Sequence, residues 1–371
     1  MARAGLGPGW RCLFANDFDV KKAASYTANW GDAEFRLADV HKLTADDLPG
    51  EADLAWASFP CQDLSLAGNG AGLKGGRSGA FWGFWSVINS LRSQRRAPRL
   101  LVLENVVGAL TSNGGADFTE LCKALQALGY RFGALTIDAV HFVPQSRPRL
   151  FVVAARKDME IAPDLAGAQP TSAWASGALT RAHAALPAAL KRDWLWWSLP
   201  APGRRNTSLA EMIERFPSGI AWHRREETAR LIAMMSEANA AKLKAARASG
   251  KAVVGTMYRR TRHDESGAKV QRAEVRFDGV AGCLRTPGGG SSRQTVIVVK
   301  GKSVRTRLMS PREAARLMGM PEAYVLPKNY NEAYHLLGDG VAVPAVGFLE
   351  QTLLRPLLAQ RAFPFFLAAA E

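Results

Sequence analysis

The feature of this 371-residue chain that most restricts its fold is an alternation near its start. Between Trp10 and about Arg156, short apolar runs alternate with longer segments of helical character. That is the pattern of a mostly parallel sheet with helices on its faces. The runs Cys12 to Asn16, Leu54 to Ser58, Leu100 to Glu104 and Leu150 to Ala155 read as strands, because strands covered on both faces carry consecutive apolar residues. Three of them lead into the polar residues Asp17, Cys61 and Glu104. Open α/β sheets bind ligands beyond the carboxyl ends of their strands, so an α/β lobe with its site at that edge is expected.

The alternation stops at Lys157. From there to Asp278 the chain is Ala- and Arg-rich, contains Trp194, Trp196 and Trp197, and reads as a separate module. From Gly279 a third segment runs through Gly288-Gly289-Gly290-Ser291-Ser292 to a helix opened by Ser310-Pro311-Arg312-Glu313. Ser310 at the N-cap, Pro311 at the first helical position and Glu313 at the third make a capping box. The division is 1–156, 157–278 and 279–371, which suits a length that allows one large domain and a smaller one.

Forty-eight Lys and Arg against 33 Asp and Glu leave a net charge of +15, which favours a polyanionic partner, nucleic acid first. A hydrophobic content of 47% with 22% charged residues excludes a disordered chain. The cysteines at 12, 61, 122 and 283 form no CxxC pair, so neither a zinc knuckle nor a disulfide framework is indicated and a reducing compartment fits. No run of about 18 apolar residues and no secretory signal is present. A cytoplasmic location is expected.

Phe59-Pro60-Cys61-Gln62 directly follows a strand, placing a thiol at the sheet's carboxyl edge, a position open either to a nucleophile or to a buried structural cysteine. Glu104-Asn105-Val106 ends the next strand, where a carboxyl group would lie beside the Cys61 loop. In its protonated form such a group donates to a ring nitrogen and opens a pyrimidine's C6 to thiolate attack. In Gln145-Ser146-Arg147-Pro148-Arg149-Leu150 two arginines alternate before a strand. Their side chains are therefore expected to point the same way, into one site or into solvent.

Taken together, these blocks resemble the cytosine-C5 DNA methyltransferase family of bacterial or phage type. The match runs in order across almost the whole chain, through Pro60-Cys61-Gln62, Glu104-Asn105-Val106, Gln145 to Arg149, Arg307 to Pro321 (RLMSPREAARLMGMP) and Gly338 to Pro344. The resemblance implies a Rossmann-like class I methyltransferase fold with a smaller target-recognition domain and S-adenosylmethionine as methyl donor. It assigns Cys61 to attack C6 of a cytosine turned out of the duplex, Glu104 to N3 and Arg149 to the base carbonyl, with Arg147 close by. It implies cofactor contacts from Asp17, Phe18, Asp39, Val40, Pro60, Asp339 and Val341, and substrate contacts from Gln62, Ser65, Gln145, Gly288 and Gly289. Asp17 would accept from the ribose hydroxyls, Phe18 would stack on adenine and Asp39 would accept from its amino group, although an Asp at a strand end also serves as a helix cap. Leu66 to Arg77 (LAGNGAGLKGGR) resembles the mobile loop that closes over the extruded base. Double-stranded DNA and a cognate restriction endonuclease are the implied partners, with no membrane, no metal, a monomer on DNA and a nucleoid-associated bacterial setting.

The sequence departs from the family at its start. The family's opening strand and turn, Asp-Leu-Phe-x-Gly-x-Gly-Gly, is not found; by spacing Met1 falls just after it, and Met1 to Trp10 reads as the helix that follows. A late start codon, a strand supplied by a partner chain and a degenerate protein are the three explanations, the first preferred. Gly5, Gly7 and Gly9 give a GxGxG appearance with no strand before them, a weak signal. Asp339-Gly340 stands where the family usually has Asn-Ser. Two other functions stay open: a tRNA cytosine-C5 methyltransferase, and a DNA-binding remnant deficient in cofactor binding. Arg204, Arg205, Arg259, Arg260 and Arg262 are candidates either for base readout or for phosphate contact.

Overall fold

The computed structural model describes residues 1–59, 79–171, 173–264, 266–286 and 292–360. Strand β1 (Ala15–Asp17) pairs in parallel with β2 (Phe35–Leu37). A four-stranded sheet has the order β3-β4-β6-β5, from β3 (Leu54–Ser58), β4 (Leu100–Val106), β5 (Tyr130–Asp138) and β6 (Pro148–Arg156). Its parallel pairing is β3 with β4; β6 is antiparallel to both of its neighbours, β4 and β5. The expected mostly parallel sheet is thus mixed, because β5 and β6 are joined by a short connection that returns the chain directly, not by a crossover helix. Among the described residues β1 pairs only with β2 and β3 only with β4, and no strand joins the two sheets.

Local sequence explains the helices that carry this edge. Helix α1 (Ala2–Leu6) ends at Gly7, whose φ of 77° suits glycine. Gly5 lies against the helix Val343–Leu349, where an added Cβ would run into Val346. The first glycine of the GxGxG run is thus a helix contact. Helix α2 (Val20–Trp30) starts at Asp19, which accepts from the amides of Lys21 and Lys22. Helix α3 (Ala80–Ser93) carries Gly83 against the turn Val40–Lys42, and a Cβ there would lie 2.7 Å from Val40 Cγ1. That glycine lets the turn holding Asp39 settle on the helix. Helix α4 (Ala116–Ala127) covers the same face with Phe118, Leu121 and Leu125.

Beyond β6 the chain does not leave the first lobe at Lys157, as its composition suggested. Trp174 and Trp197 are buried in the main core with Leu135, Phe151 and Val153. Thr136 donates to the Trp174 carbonyl, and Phe132 and Leu195 exchange backbone bonds with their neighbours across the sheet edge. The aromatic residues that mark the compositional change are there because the sheet needs a cover, so residues 157–200 stay with it. After two-residue strands β7 (Ala166–Gly167) and β8 (Trp196–Trp197), the second lobe is built on a sheet ordered β10-β9-β11-β12, from β9 (Ala252–His263), β10 (Lys269–Arg276), β11 (Thr295–Lys300) and β12 (Ser303–Leu308). The helix Glu237–Ala248 packs Leu243 and Ala246 on one face of that sheet, against Met257, Ala273, Val275, Ile297 and Val299.

The capping box is present as read. Glu313 N donates to Ser310 Oγ at 3.1 Å, and Ser310 N donates to Glu313 Oε2 at 2.7 Å. The carboxylate also takes Arg307, with Nη1 at 2.8 Å and Nη2 at 2.5 Å, and both side chains are fully buried. Arg307 Nη2 further donates to the Glu214 carbonyl, fastening the two lobes where β12 hands over to the helix Pro311–Leu317. The helical run Tyr330–Ala359 is long and apolar enough by length and composition to cross a membrane, but half of its apolar window is buried, and Leu337, Val346, Leu349 and Leu353 belong to the main core.

Glu313→Ala would strand the Arg307 charge in the interior, an uncompensated burial that costs about 3–5 kcal/mol. Urea unfolding is expected to show a loss of that size. Restoration of part of it by adding Arg307→Met would identify the orphaned charge as the cause.

Candidate active site

The C-terminal ends of β3 and β4 are in register, Ser58 opposite Glu104. Glu104 is 5% exposed. Arg149, entering β6 opposite Val106, brings its Nε to 3.2 Å from Glu104 Oε1, so the carboxylate and the guanidinium form a nearly buried ion pair at the sheet edge. Asn105 adds a contact that sequence reading left unassigned: its buried amide donates to the Phe59 carbonyl at 3.0 Å. This pins the chain two residues before Cys61. The signal for it was the Glu104-Asn105 block itself, since a buried amide at a strand end needs a partner. Pro60, Cys61, Gln62, Ser65 and the segment Leu66 to Arg77, like Gly288 and Gly289, lie outside the described residues.

The two arginines read as sharing one site diverge. Arg149 faces Glu104, whereas Arg147 is 1% exposed and turned into the protein. Its Nη1 donates to the Leu284 carbonyl at 2.8 Å and to Cys283 Sγ at 3.3 Å; its Nη2 donates to the carbonyls of Gly338 at 2.7 Å and Gly340 at 2.5 Å. Burial pulls its pKa down to about 10, with the nearby Arg149 charge adding to the effect. Arg147 precedes β6 and does not lie in it, which breaks the alternation expected of an extended strand. It is a positioning residue. Gln145 is likewise completely buried: its amide donates to the Leu317 carbonyl at 2.7 Å and accepts from Leu284 N at 3.0 Å.

A second group lies at the ends of β1 and β2. Ala38 N donates to the Asp17 carbonyl, which sets Asp17 and Asp39 on neighbouring strand ends, with Phe18 between them in sequence and 76% exposed. Each carboxylate spends one oxygen on a backbone amide, Asp17 on Asp19 N at 2.9 Å and Asp39 on His41 N at 3.0 Å. The cap reading therefore holds for Asp39, which caps the turn Val40–Lys42, whereas Asp17 closes a local turn onto Asp19, the actual cap of α2, and among the described residues the other oxygen of each has no partner. Val40 packs on Gly83. Val341 is buried in the main core.

The two groups are joined through Gly338-Asp339-Gly340. Arg147 holds the two glycine carbonyls, while Asp339 forms an ion pair with Lys22 at 3.0 Å and accepts from Thr286 Oγ1 at 2.5 Å. Lys22 is in α2, four residues after Phe18. One turn thus connects the arginine behind the Glu104–Arg149 pair with the helix behind Phe18.

A sheet edge carrying carboxylates at successive strand ends, with a second lobe opposite, is the arrangement of a class I methyltransferase. Among solved structures, the chain resembles a Dnmt2 methyltransferase of S. pombe (TM-score 0.53, 17% identity, covering 94% of this chain and 91% of that one) and a DNMT2 of Spodoptera frugiperda (0.57, 15%, 96% and 95%). These likenesses concern the fold. The family model for C-5 cytosine-specific DNA methylase matches residues 2–355, and the chain belongs to that family. It is a DNA (cytosine-5-)-methyltransferase. Relatives include the type II methyltransferases M.HpaII of Haemophilus parainfluenzae (25% identical, covering 94% of this chain and 84% of the relative) and M.HhaI of Haemophilus parahaemolyticus (23%, 92% and 86%).

Arg147→Ala would leave three carbonyls and the turn they belong to without a donor. A stability loss of about 3 kcal/mol is expected, accompanied by weaker activity, with Arg147→Lys recovering only part because one ammonium cannot span the same acceptors. An alanine variant with unchanged unfolding midpoint and reduced turnover would instead assign Arg147 to the reaction itself.

Proposed function

We propose that this chain methylates cytosine in duplex DNA through Cys61, with Glu104 and Arg149 as the groups that receive the base and S-adenosylmethionine as donor. The observation that carries the reading is the paired carboxylate and guanidinium at the end of β4, in register with Ser58 three residues before Cys61 in sequence, with Asn105 holding the Phe59 carbonyl. Cytosine presents an acceptor at N3 beside an acceptor at O2, and a carboxyl group next to an arginine matches that edge. In this reading Glu104 in its protonated form donates to N3 and Arg149 donates to O2, drawing electron density from the ring. The Cys61 thiolate then bonds to C6, raising the electron density at C5. Loss of the C5 proton after methylation and expulsion of the thiolate regenerate the enzyme. A stacked base hides C6, so the cytosine must leave the helix at a cost of a few kcal/mol.

S-adenosylmethionine, when bound, supplies the electrophilic methyl group. The acceptor oxygens of Asp17 and Asp39 suit its ribose hydroxyls and adenine amino group, and the exposed ring of Phe18 offers a stacking face. These residues fit the nucleoside half. At the other end the Met1 side chain lies against Gly340, and Asp339 is already engaged by Lys22 and Thr286. A cognate restriction endonuclease is in keeping with the type II relatives, and the division into a catalytic lobe and a target-recognition lobe follows the two sheets.

Transfer of a labelled methyl group to duplex DNA should be abolished by Cys61→Ala and lowered about 10²- to 10⁴-fold by Glu104→Ala. Retained transfer in the cysteine variant would refute the mechanism. In calorimetry, Phe18→Ala should weaken S-adenosylmethionine binding by roughly 5- to 150-fold, the value of one aromatic stack of about 1–3 kcal/mol. Salt-sensitive duplex binding with neither transfer nor cofactor affinity would favour the remnant reading.

A further inference from the structure

The second lobe ends in a projecting ribbon. Strand β10 pairs with β9 from Lys269 opposite His263 to Arg276 opposite Thr256, but β11 flanks β9 only as far as Met257. Past that point Ser292 N still donates to the Arg259 carbonyl and Met235 bridges Ala273, so residues 260–263 and 269–272 continue as two strands with no third paired to them among the described residues. Four residues per strand span roughly 14 Å at 3.4 Å each. A two-stranded ribbon is one of the two elements that the major groove of B-form DNA admits. In these eight positions Arg260, Arg262, Lys269 and Arg272 stand with no carboxylate among them, a charge balance suited to entering a polyanion's groove.

The faces of the ribbon differ. Cross-strand partners share a face, so Tyr258 and Glu274 lie together, as do Arg260 and Arg272. Tyr258 Oη donates to Glu274 Oε2 at 2.7 Å, and Arg262 donates to Glu274 Oε1 through Nε at 2.8 Å and also through Nη2. Arg260 lies over the Tyr258 ring, 5.3 Å from its centre. This face continues toward the active site, because Gly282 has only the room of a glycine beside Tyr258 and Gln294, and the next residue, Cys283, touches Arg147. At the base of the ribbon the opposite face is closed by Met257, Ala273 and Val275 under the helix Glu237–Ala248.

A phosphate contact needs a cation and little orientation. Arg262 has both: half its side chain is exposed, yet a carboxylate, itself fixed by a tyrosine, holds the guanidinium from one side. An arginine so held presents its remaining N–H groups in a fixed plane, the geometry that matches O6 and N7 of guanine. We propose that the ribbon formed by residues 258–263 and 269–274 enters the major groove and that Arg262, oriented by Glu274 and Tyr258, reads a guanine in the target site. The inference rests on the duplex-DNA activity above and adds the element and the base that confer selectivity.

The test uses a duplex library randomised around cytosine, scored in two ways: by bisulfite sequencing of methylated products and by sequencing of duplexes retained by the protein. The second readout needs no turnover, so an inactive enzyme would count against the catalytic assignment without touching this one. The wild type is expected to demand guanine at one position. Arg262→Ala should lower discrimination there by about 10- to 100-fold while preserving the other positions, Glu274→Gln should lower it partly, and Arg259→Ala, on the other face, should leave it intact. Unchanged thermal melting would verify that the variants fold. An Arg262→Ala variant that weakens all sequences alike and reduces the salt dependence by about one ion would make the residue a phosphate contact and overturn the proposal. Undiminished guanine preference would overturn it as well.

Discussion

The arrangement of both subsites depends on a single buried guanidinium. Arg147 has left water to bind three backbone carbonyls and a sulfur contributed by two distant parts of the chain, Cys283-Leu284 and Gly338 to Gly340. The same turn is held from its other side by Lys22, through Asp339. Desolvating a charge is costly unless its donors are used, and that cost makes the geometry selective: the arrangement is favourable only when the C-terminal segment closes on the sheet in one register. Arg149, two residues later, is then presented to Glu104 at the carboxyl edge of the sheet. One arginine fixes the framework and the other pairs with Glu104 at the sheet edge.

The lobe junction uses the same device. Arg307 and Glu313 are both fully buried, and Glu313 simultaneously closes the capping box of its helix and receives the amide of Glu214. A capping box on a surface helix contributes about 1 kcal/mol; here the same carboxylate also neutralises a charge in the interior and links segments nearly 100 residues apart in sequence. The ribbon of β9 and β10 depends on this junction for its placement, since β12 runs directly into it. Target selection and catalysis are therefore mechanically connected through polar contacts, with the apolar cores of the two lobes largely separate.

The local motifs were readable because each expresses a short-range rule. Three of the four expected strands appear at nearly their expected bounds, Leu54–Ser58, Leu100–Val106 and Pro148–Arg156, since continuous apolar runs between turns leave few alternatives. The first is shifted to Ala15–Asp17. The capping box at Ser310 is present for the same local reason. Strand β5 was missed because the chain returns from it to β6 without a helix, and the tryptophans after Lys157 were assigned to a new module because composition does not reveal what a side chain covers. Gln145 and Arg147 looked like ligands for substrate because a polar residue next to a strand end reads the same whether it faces a pocket or a carbonyl.

By itself the sequence determined the chemistry available to this protein: a cysteine, a carboxyl group and an arginine at the carboxyl edge of an α/β sheet, in an order shared with one enzyme family, on a strongly basic chain. Residue types and their spacing along strands are local properties, and a one-dimensional pattern carries them. Only the tertiary structure decided which of two neighbouring arginines meets Glu104, which glycines serve helix contacts, and which of many surface cations is oriented by a carboxylate. Those outcomes depend on where buried polar groups find partners, and the partners of Arg147 and Arg307 come from segments far away in sequence.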